Sequence, residues 1–216
     1  MTYAELKSAI ADYLNRSDLT STIDTFIDQS EAEMNRKLRH KKMIKRATAT
    51  CDSQYLAVPT DWLEAINVEI TSNDFSPLMQ MSIESLDVYR KSINNKSGQP
   101  RYFAIVDDSL EVCPNPDGDY TLQLTYYASI PALSDSNTTN WVSTYYPDLY
   151  LNMTLFQGSM YLMDDDRAKS FKGLYESIFE EMRMEQEKAA FGKGSLIPRR
   201  RTYGRTKKQV VYWSNN

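Results

Sequence analysis

The hydrophobic period of this chain changes twice, from helical to strand-like and back again, and that switch leaves few architectures open. Tyr3, Leu6, Ile10 and Leu14 recur at helical spacing, with Thr2 as N-cap and Glu5 as the return half of a capping box. After the turn Asn15-Arg16-Ser17-Asp18, a second series of Ile23, Phe26, Ile27, Ser30, Met34 and Leu38 continues the helical pattern. The two helices form a hairpin. From Ala47 the alternation is that of strands: Thr48 and Thr50, then Tyr55, Leu56 and Val58, then Ile66, Val68 and Ile70.

Ser82 to Ser92 reads as a short helix inside this β region. Tyr102 to Val106, Ser109 to Val112 and Tyr120 to Tyr127 read as an antiparallel meander, joined at Asp107-Asp108 and Pro114 to Asp119. Helical spacing returns near Tyr146-Pro147, where Leu149, Leu151, Leu155, Met160 and Leu162 predict one long apolar helix broken at Asp164-Asp165-Asp166. The last helix carries Phe171, Leu174, Tyr175, Ile178, Phe179 and Met182 on one face and Glu180, Glu181, Glu185 and Glu187 on the other. The expected fold is therefore α+β: a four-helix bundle assembled from both chain ends, with an inserted antiparallel β-rich portion and an extended C-terminal arm. Its parts are residues 1–46 (helical hairpin), 47–140 (β-rich insert), 141–191 (the last helices) and 192–216 (the arm).

The arm stands apart by composition. Residues 192–216 hold Lys193, Arg199, Arg200, Arg201, Arg205, Lys207 and Lys208 and no acid, so in a chain of net charge −4 the first 191 residues carry −11. Leu196, Ile197, Tyr203, Val210, Val211, Tyr212 and Trp213 interleave apolar groups with this charge, which suits a strap that orders against a partner. A second basic block without an acid, Arg36, Lys37, Arg39, Lys41, Lys42, Lys45 and Arg46, follows the hairpin. Part of it complements a helix C-terminus; the rest suggests contact with phosphate or an acidic neighbouring subunit. Fifteen Tyr against seven Phe favour surfaces that become interfaces.

Catalytic chemistry has little to stand on. His40 is the single histidine and lies in the basic block, where neighbouring charge disfavours its protonation; no nucleophile elbow, HExxH, phosphate loop or GxGxxG is present. Asp164, Asp165 and Asp166 read as a helix cap rather than a cation site. A glycosidase-like pairing of the scattered carboxylates is not required by their spacing. Cys51 and Cys113 are far apart and read as buried thiols. No run approaches the roughly 18 apolar residues of a membrane span, and Met1 opens directly on an amphipathic pattern, so the expectation is a soluble, unsecreted protein with no cofactor and no metal.

The chain resembles the head-to-tail adaptor (connector) proteins of short-tailed bacteriophages. The resemblance is carried by Tyr3-Ala4-Glu5-Leu6, Tyr13-Leu14-Asn15-Arg16-Ser17-Asp18-Leu19, Phe26-Ile27 and Ala32-Glu33-Met34-Asn35-Arg36-Lys37-Leu38-Arg39. Val58-Pro59-Thr60-Asp61-Trp62-Leu63-Glu64, Gly98-Gln99-Pro100-Arg101-Tyr102, Pro114-Asn115-Pro116-Asp117 and Leu124-Thr125-Tyr126-Tyr127 continue it in order. It implies a structural virion protein, not an enzyme: a ring of twelve copies at the head-tail junction, assembled in the host cytoplasm, joining portal to tail nozzle with genomic DNA passing through its centre. It also implies that the arm reaches the portal and neighbouring copies, with Lys193, Arg199, Arg200, Arg201, Tyr203, Arg205, Lys207, Lys208, Tyr212 and Trp213 as contacts. The loops at Ser72 to Ser76, Asn94 to Pro100 and Pro114 to Asp119 would then meet the nozzle or adjacent subunits. The competing reading is a nucleic-acid-binding module using residues 36–46 and the arm.

Overall fold

A computed structural model describes residues 1–16, 18–72 and 76–190. Helix α1 (Tyr3–Leu14) begins at the expected capping box: Thr2 Oγ1 accepts from the Glu5 amide at 3.3 Å, and the Glu5 carboxylate accepts from the Thr2 amide at 2.8 Å. Asn15 closes it in the left-handed region at φ 52°. Helix α2 (Thr20–Lys37) buries Ile23, Phe26, Ile27, Ser30 and Met34, and the Ser30 hydroxyl is satisfied by the Phe26 carbonyl at 2.8 Å. It also buries Glu31, which an apolar stripe does not predict.

A single 3₁₀ turn (Lys41–Met43) leads into strands β1 (Ile44–Cys51), β2 (Tyr55–Ala57), β3 (Trp62–Ile70), β4 (Ser76–Pro77) and β5 (Met79–Gln80), then helix α3 (Ile83–Ser92). Strands β6 (Tyr102–Val106), β7 (Ser109–Cys113) and β8 (Tyr120–Ala128) follow, and the chain ends its described part in helices α4 (Trp141–Tyr145), α5 (Pro147–Tyr161) and α6 (Asp165–Ala190). The molecule is thus α+β, with six α-helices and two four-stranded sheets among the described residues.

The sheets run β1-β8-β3-β4 and β2-β7-β6-β5. All neighbours are antiparallel except β5 and β6, which are parallel, so the expectation of a purely antiparallel insert needs that correction. The expected meander also differs. β6 and β7 form a hairpin, but β8 lies between β1 and β3 in the other sheet, because the turn from Pro114 to Asp119 carries the chain across. Leu122, Leu124 and Tyr126 then face Phe103, Leu110 and Val112 in a sandwich core. Helix α3 covers the second sheet from behind through Leu86, packed with Ala104 and Cys113. That is why Leu110, Glu111, Val112 and Cys113 of β7 are all buried: each face has a cover. Arg90 pairs there with Asp87 and with buried Glu111.

At the other end, α5 is packed by α1, α2, α4 and α6. Its only charged residue is Asp148, at the first turn beside Pro147, and it buries Leu149, Tyr150, Met153, Thr154, Leu155, Gly158 and Ser159. The expected stripe through Met160 does not hold, since Met160 is 50% exposed. Likewise α6 buries a narrow seam of Ala168, Tyr175 and Met182, spaced by sevens, and leaves Leu174 53% exposed on a side away from that seam.

The chain returning from β8 is locked to the helices by polar contacts in the core. Ile130 N–H donates to Asn35 Oδ1 and Leu133 N–H to Glu31 Oε1, each at 2.8 Å. Tyr150 Oη donates to the same Glu31 oxygen at 3.0 Å and accepts from Asn140 Nδ2 at 2.6 Å. Burial raises the Glu31 carboxyl above its ordinary pKa, with these two donors opposing the rise. The folded state therefore favours protonated Glu31, a contribution that is whole below the ordinary value of 4.5 and fades as pH rises through the folded one. Glu31→Gln keeps the accepting oxygen without the charge, so thermal melts should show it gaining stability over the parent as pH rises from about 4 to about 7. Glu31→Leu orphans Leu133 N–H and the Tyr150 hydroxyl and should cost about 1–3 kcal/mol in denaturant titration. Gly158→Val should also destabilise, by about 1–3 kcal/mol, because a Cβ there meets Leu14 Cδ1 at 2.8 Å in the packed core.

Candidate interface at the junction of helices and sheets

The basic block is not one helical surface. Helix α2 ends at Lys37, so only Arg36 and Lys37 lie in its last turn; Leu38 caps it in extended conformation, Lys41 and Lys42 sit in the 3₁₀ turn, and Lys45 and Arg46 lie on β1. Four of the seven cations are engaged inside the molecule. Lys37 pairs with Glu33 at 2.5 Å, Arg39 with Glu64 at 2.7 Å and Lys45 with Asp61 at 2.6 Å, while Lys42 Nζ stands 3.1 Å from the centre of the Tyr145 ring. Arg39 also donates to the carbonyls of Asn35 and Leu38, closing the end of α2. Arg36, Lys41 and Arg46 are exposed and form no ion pair among the described residues.

Two of these pairs, Arg39–Glu64 and Lys45–Asp61, join segments distant in sequence. Arg39 and Lys45 both reach to the start of β3, and Asp61 accepts from Tyr126 Oη of β8 at 2.8 Å as well. Burial works against the Asp61 carboxylate, but Lys45 and Tyr126 outweigh it and hold its pKa below the ordinary value.

His40 sits in the middle of this junction, 2% exposed. Its ring stacks on Trp141 at 4.9 Å and meets the edge of Tyr146 at 6.3 Å, and its Nδ1 accepts from the Lys42 amide at 3.2 Å. Tyr146 in turn donates to Glu185 of α6 at 2.6 Å, and that carboxylate pushes the phenol pKa up to about 12. A mixed-charge groove of ≈ 590 Å³ opens alongside, lined by Lys37, Leu38 and Arg39 from one side and Phe179, Met182 and Arg183 of α6 from the other. The arrangement sets aromatic rings beside opposed charges, and among the described residues that form it no nucleophile is paired with a base.

Sequence reasoning did not find α4, whose Trp141 and Tyr145 supply the stack and the cation–π contact. The signal was present in Asn140, whose side chain accepts from the Ser143 amide, followed by five helical residues. Asp164 does cap α6, accepting from the Arg167 amide at 3.2 Å. Cys51 and Cys113 are buried free thiols. Of the loops singled out, Asn94–Pro100 and Pro114–Asp119 are described, with residues 73–75 of the remaining one outside the described part. The arm contacts Lys193, Arg199, Arg200, Arg201, Tyr203, Arg205, Lys207, Lys208, Tyr212 and Trp213 also lie outside the described residues.

Burial first, then Lys41 and Lys42, holds the His40 imidazole pKa below its ordinary 6.5, with Glu185 opposing. A depressed histidine pKa gives stability that is present above the ordinary value and is lost as pH falls toward the folded one. His40→Phe retains the stack on Trp141 without a titrating ring. Its melting temperature should fall less than the parent's between about pH 7 and about pH 5.

No helix of the described residues is long and apolar enough to cross a membrane. Among curated proteins no match is found. The family model for the SU10 adaptor protein matches residues 1–199, which take in every described element and the first part of the arm. The chain belongs to the SU10 adaptor protein family, and is a structural phage head-to-tail adaptor, a virion component.

Proposed function

We propose that this adaptor assembles in the host cytoplasm as a ring of twelve copies that joins the portal to the tail nozzle at the head-tail junction and lines the channel through which genomic DNA leaves. Residues 1–46 and 141–191 serve as the ring's helical body, read as a four-helix bundle. Residues 47–140 form the β-rich insert, and 192–216 the strap to the portal and adjacent copies. Lys193, Arg199, Arg200, Arg201, Tyr203, Arg205, Lys207, Lys208, Tyr212 and Trp213 are its contact residues, since Arg and aromatic side chains dominate the energetics of interfaces. The loops Asn94–Pro100 and Pro114–Asp119 meet the nozzle or the next subunit.

The observation that carries this reading is the division of charge: a body of −11 bearing an arm with seven cations and no acid. An arm of one sign on a body of the other favours contact with another copy or another acidic partner, and a heterologous contact of that kind closes rings. The four basic-block cations already held by Glu33, Glu64, Asp61 and Tyr145 add support, because each partner offsets part of the cation's attraction for phosphate.

Mixing the purified chain with its portal and imaging the product should give rings seated on the portal. Deleting residues 193–216 should leave a folded body that no longer joins; retained joining would sink the arm's assigned role. The alternative, a nucleic-acid-binding module using residues 36–46 and the arm, is favoured by Arg36, Lys41 and Arg46, which are exposed and form no ion pair among the described residues. It requires duplex DNA affinity that falls steeply with salt and drops when these three are changed to Gln.

A further inference from the structure

Among the described residues, no strand covers one side of the β-sandwich. β1 and β2 are edge strands of their two sheets and lie over one another, with an apolar slot of ≈ 210 Å³ between them. Ala49 pairs with Leu122 and Ala47 with Leu124, so by cross-strand geometry both alanines point to the face on which those leucines are buried. Ala49 is nevertheless exposed, because the core is uncovered at that point. Leu56, Val58, Leu110 and the two leucines of β8 complete the lining. β1 is also an unusual edge. Its eight residues pair with β8 without a register shift and contain no proline, and their outer backbone groups have no backbone partner among the described residues. Natural edges of that length are ordinarily bulged, charged along their length or covered; here the charges, Lys45 and Arg46, stop at the first turn of the strand and Ala47-Thr48-Ala49-Thr50 is bare.

The chain itself supplies a matching segment. Gln209-Val210-Val211-Tyr212-Trp213 is uncharged, β-branched and aromatic, unlike the cationic stretch before it, and lies beyond residue 199, where the family match ends. α6 delivers the chain to the right place: Glu185 holds Tyr146, Tyr146 meets His40, and His40 leads through the 3₁₀ turn into β1. From Ala190 to Gln209 the linking chain can span up to roughly 60 Å, more than twice the roughly 27 Å of β1.

We propose that the open side of the sandwich is a strand-acceptor site filled by residues 209–213 of the same chain, which pair along the outer edge of β1 and place alternate apolar side chains in the slot. Main-chain hydrogen bonds supply pairing and the slot supplies selectivity, as in other strand additions. Tethering favours the same chain over a neighbour, since the segment is held at high effective concentration. Arg199 to Lys208 then form a basic loop pinned at both ends. In this proposal Tyr212 and Trp213, assigned above to the portal and adjacent copies, occupy the slot in the isolated chain, and only the use of the loop rests on the reading of the arm as a contact element.

Amide hydrogen exchange on the isolated full chain tests it. The outward amides of Ala47 to Thr50 should be protected. Removing residues 209–216, or the single change Val211→Asp, should speed their exchange by about tenfold or more while β3 and β8 stay unchanged. Protection should persist in high salt, because slot and segment are uncharged. The double variant Ala49→Cys with Val211→Cys should oxidise to a monomer-sized disulfide species. Equal exchange with and without the segment, or a cross-link only of dimer size, overturns the proposal. Truncation after Lys208 retains Arg199 to Lys208, so loss of β1 protection with continued portal joining separates this site from the portal contact.

Discussion

The structure depends on one nearly uncharged helix being surrounded. α5 has a single acidic residue at its first turn and buries side chains on several faces, so it cannot lie on a surface; it needs neighbours on more than one side. Among the described residues after it, α6 follows directly and covers one side. The remaining sides are covered by α1 and α2 from the opposite end of the chain, and the Leu14–Gly158 approach marks how closely they come. Everything between residues 44 and 128 must therefore leave and return at one place. That place is fixed by polar contacts: Asn35 and Glu31 receive the returning chain at Ile130 and Leu133, the N-terminal amino group donates to the Ser143 carbonyl, and Tyr3 N–H to that of Thr138.

The same closure explains a buried carboxylate in a helical core. Glu31 costs desolvation, but the Leu133 amide of the returning segment and the Tyr150 hydroxyl would otherwise be orphaned in an apolar interior. Glu33, one residue-pair further along the same helix, does comparable work at the surface: it receives Lys37, Gln157 and Tyr175, and so joins α2 to both α5 and α6. The polar residues of α2 are thus spent on joining elements rather than on solubility alone.

The elements with strong period were legible in the sequence. Thr2 with Glu5, the stripe from Ile23 to Met34, and the alternation of Leu122, Leu124 and Tyr126 each follow from local geometry. What failed was partner choice. Alternation says which face of a strand is buried but not which strand lies beside it, so β8 was placed next to β7 instead of between β1 and β3. The basic block failed for a related reason. Charge counted along the sequence gave seven cations together, whereas Glu64, Asp61 and the Tyr145 ring, far away in the chain, neutralise or cover three of them and Glu33 a fourth. The His40 environment was half legible: its neighbours Lys41 and Lys42 do disfavour protonation, but burial under Trp141 is the larger cause.

Internal pairing at the junction also shapes the field around an acidic body. An exposed ion pair contributes little stability, but it removes a cation from the outer field. With Lys37, Arg39 and Lys45 paired internally, the described surface keeps its negative excess and offers phosphate only separated cations such as Arg36, Lys41 and Arg46. Duplex affinity scales with the number of phosphates neutralised together, so scattered single contacts give weak, readily exchanged binding. In the conduit proposed above that weakness would favour the passage of a long polyanion, and the block of seven cations without an acid lies outside the body, in residues 193–208.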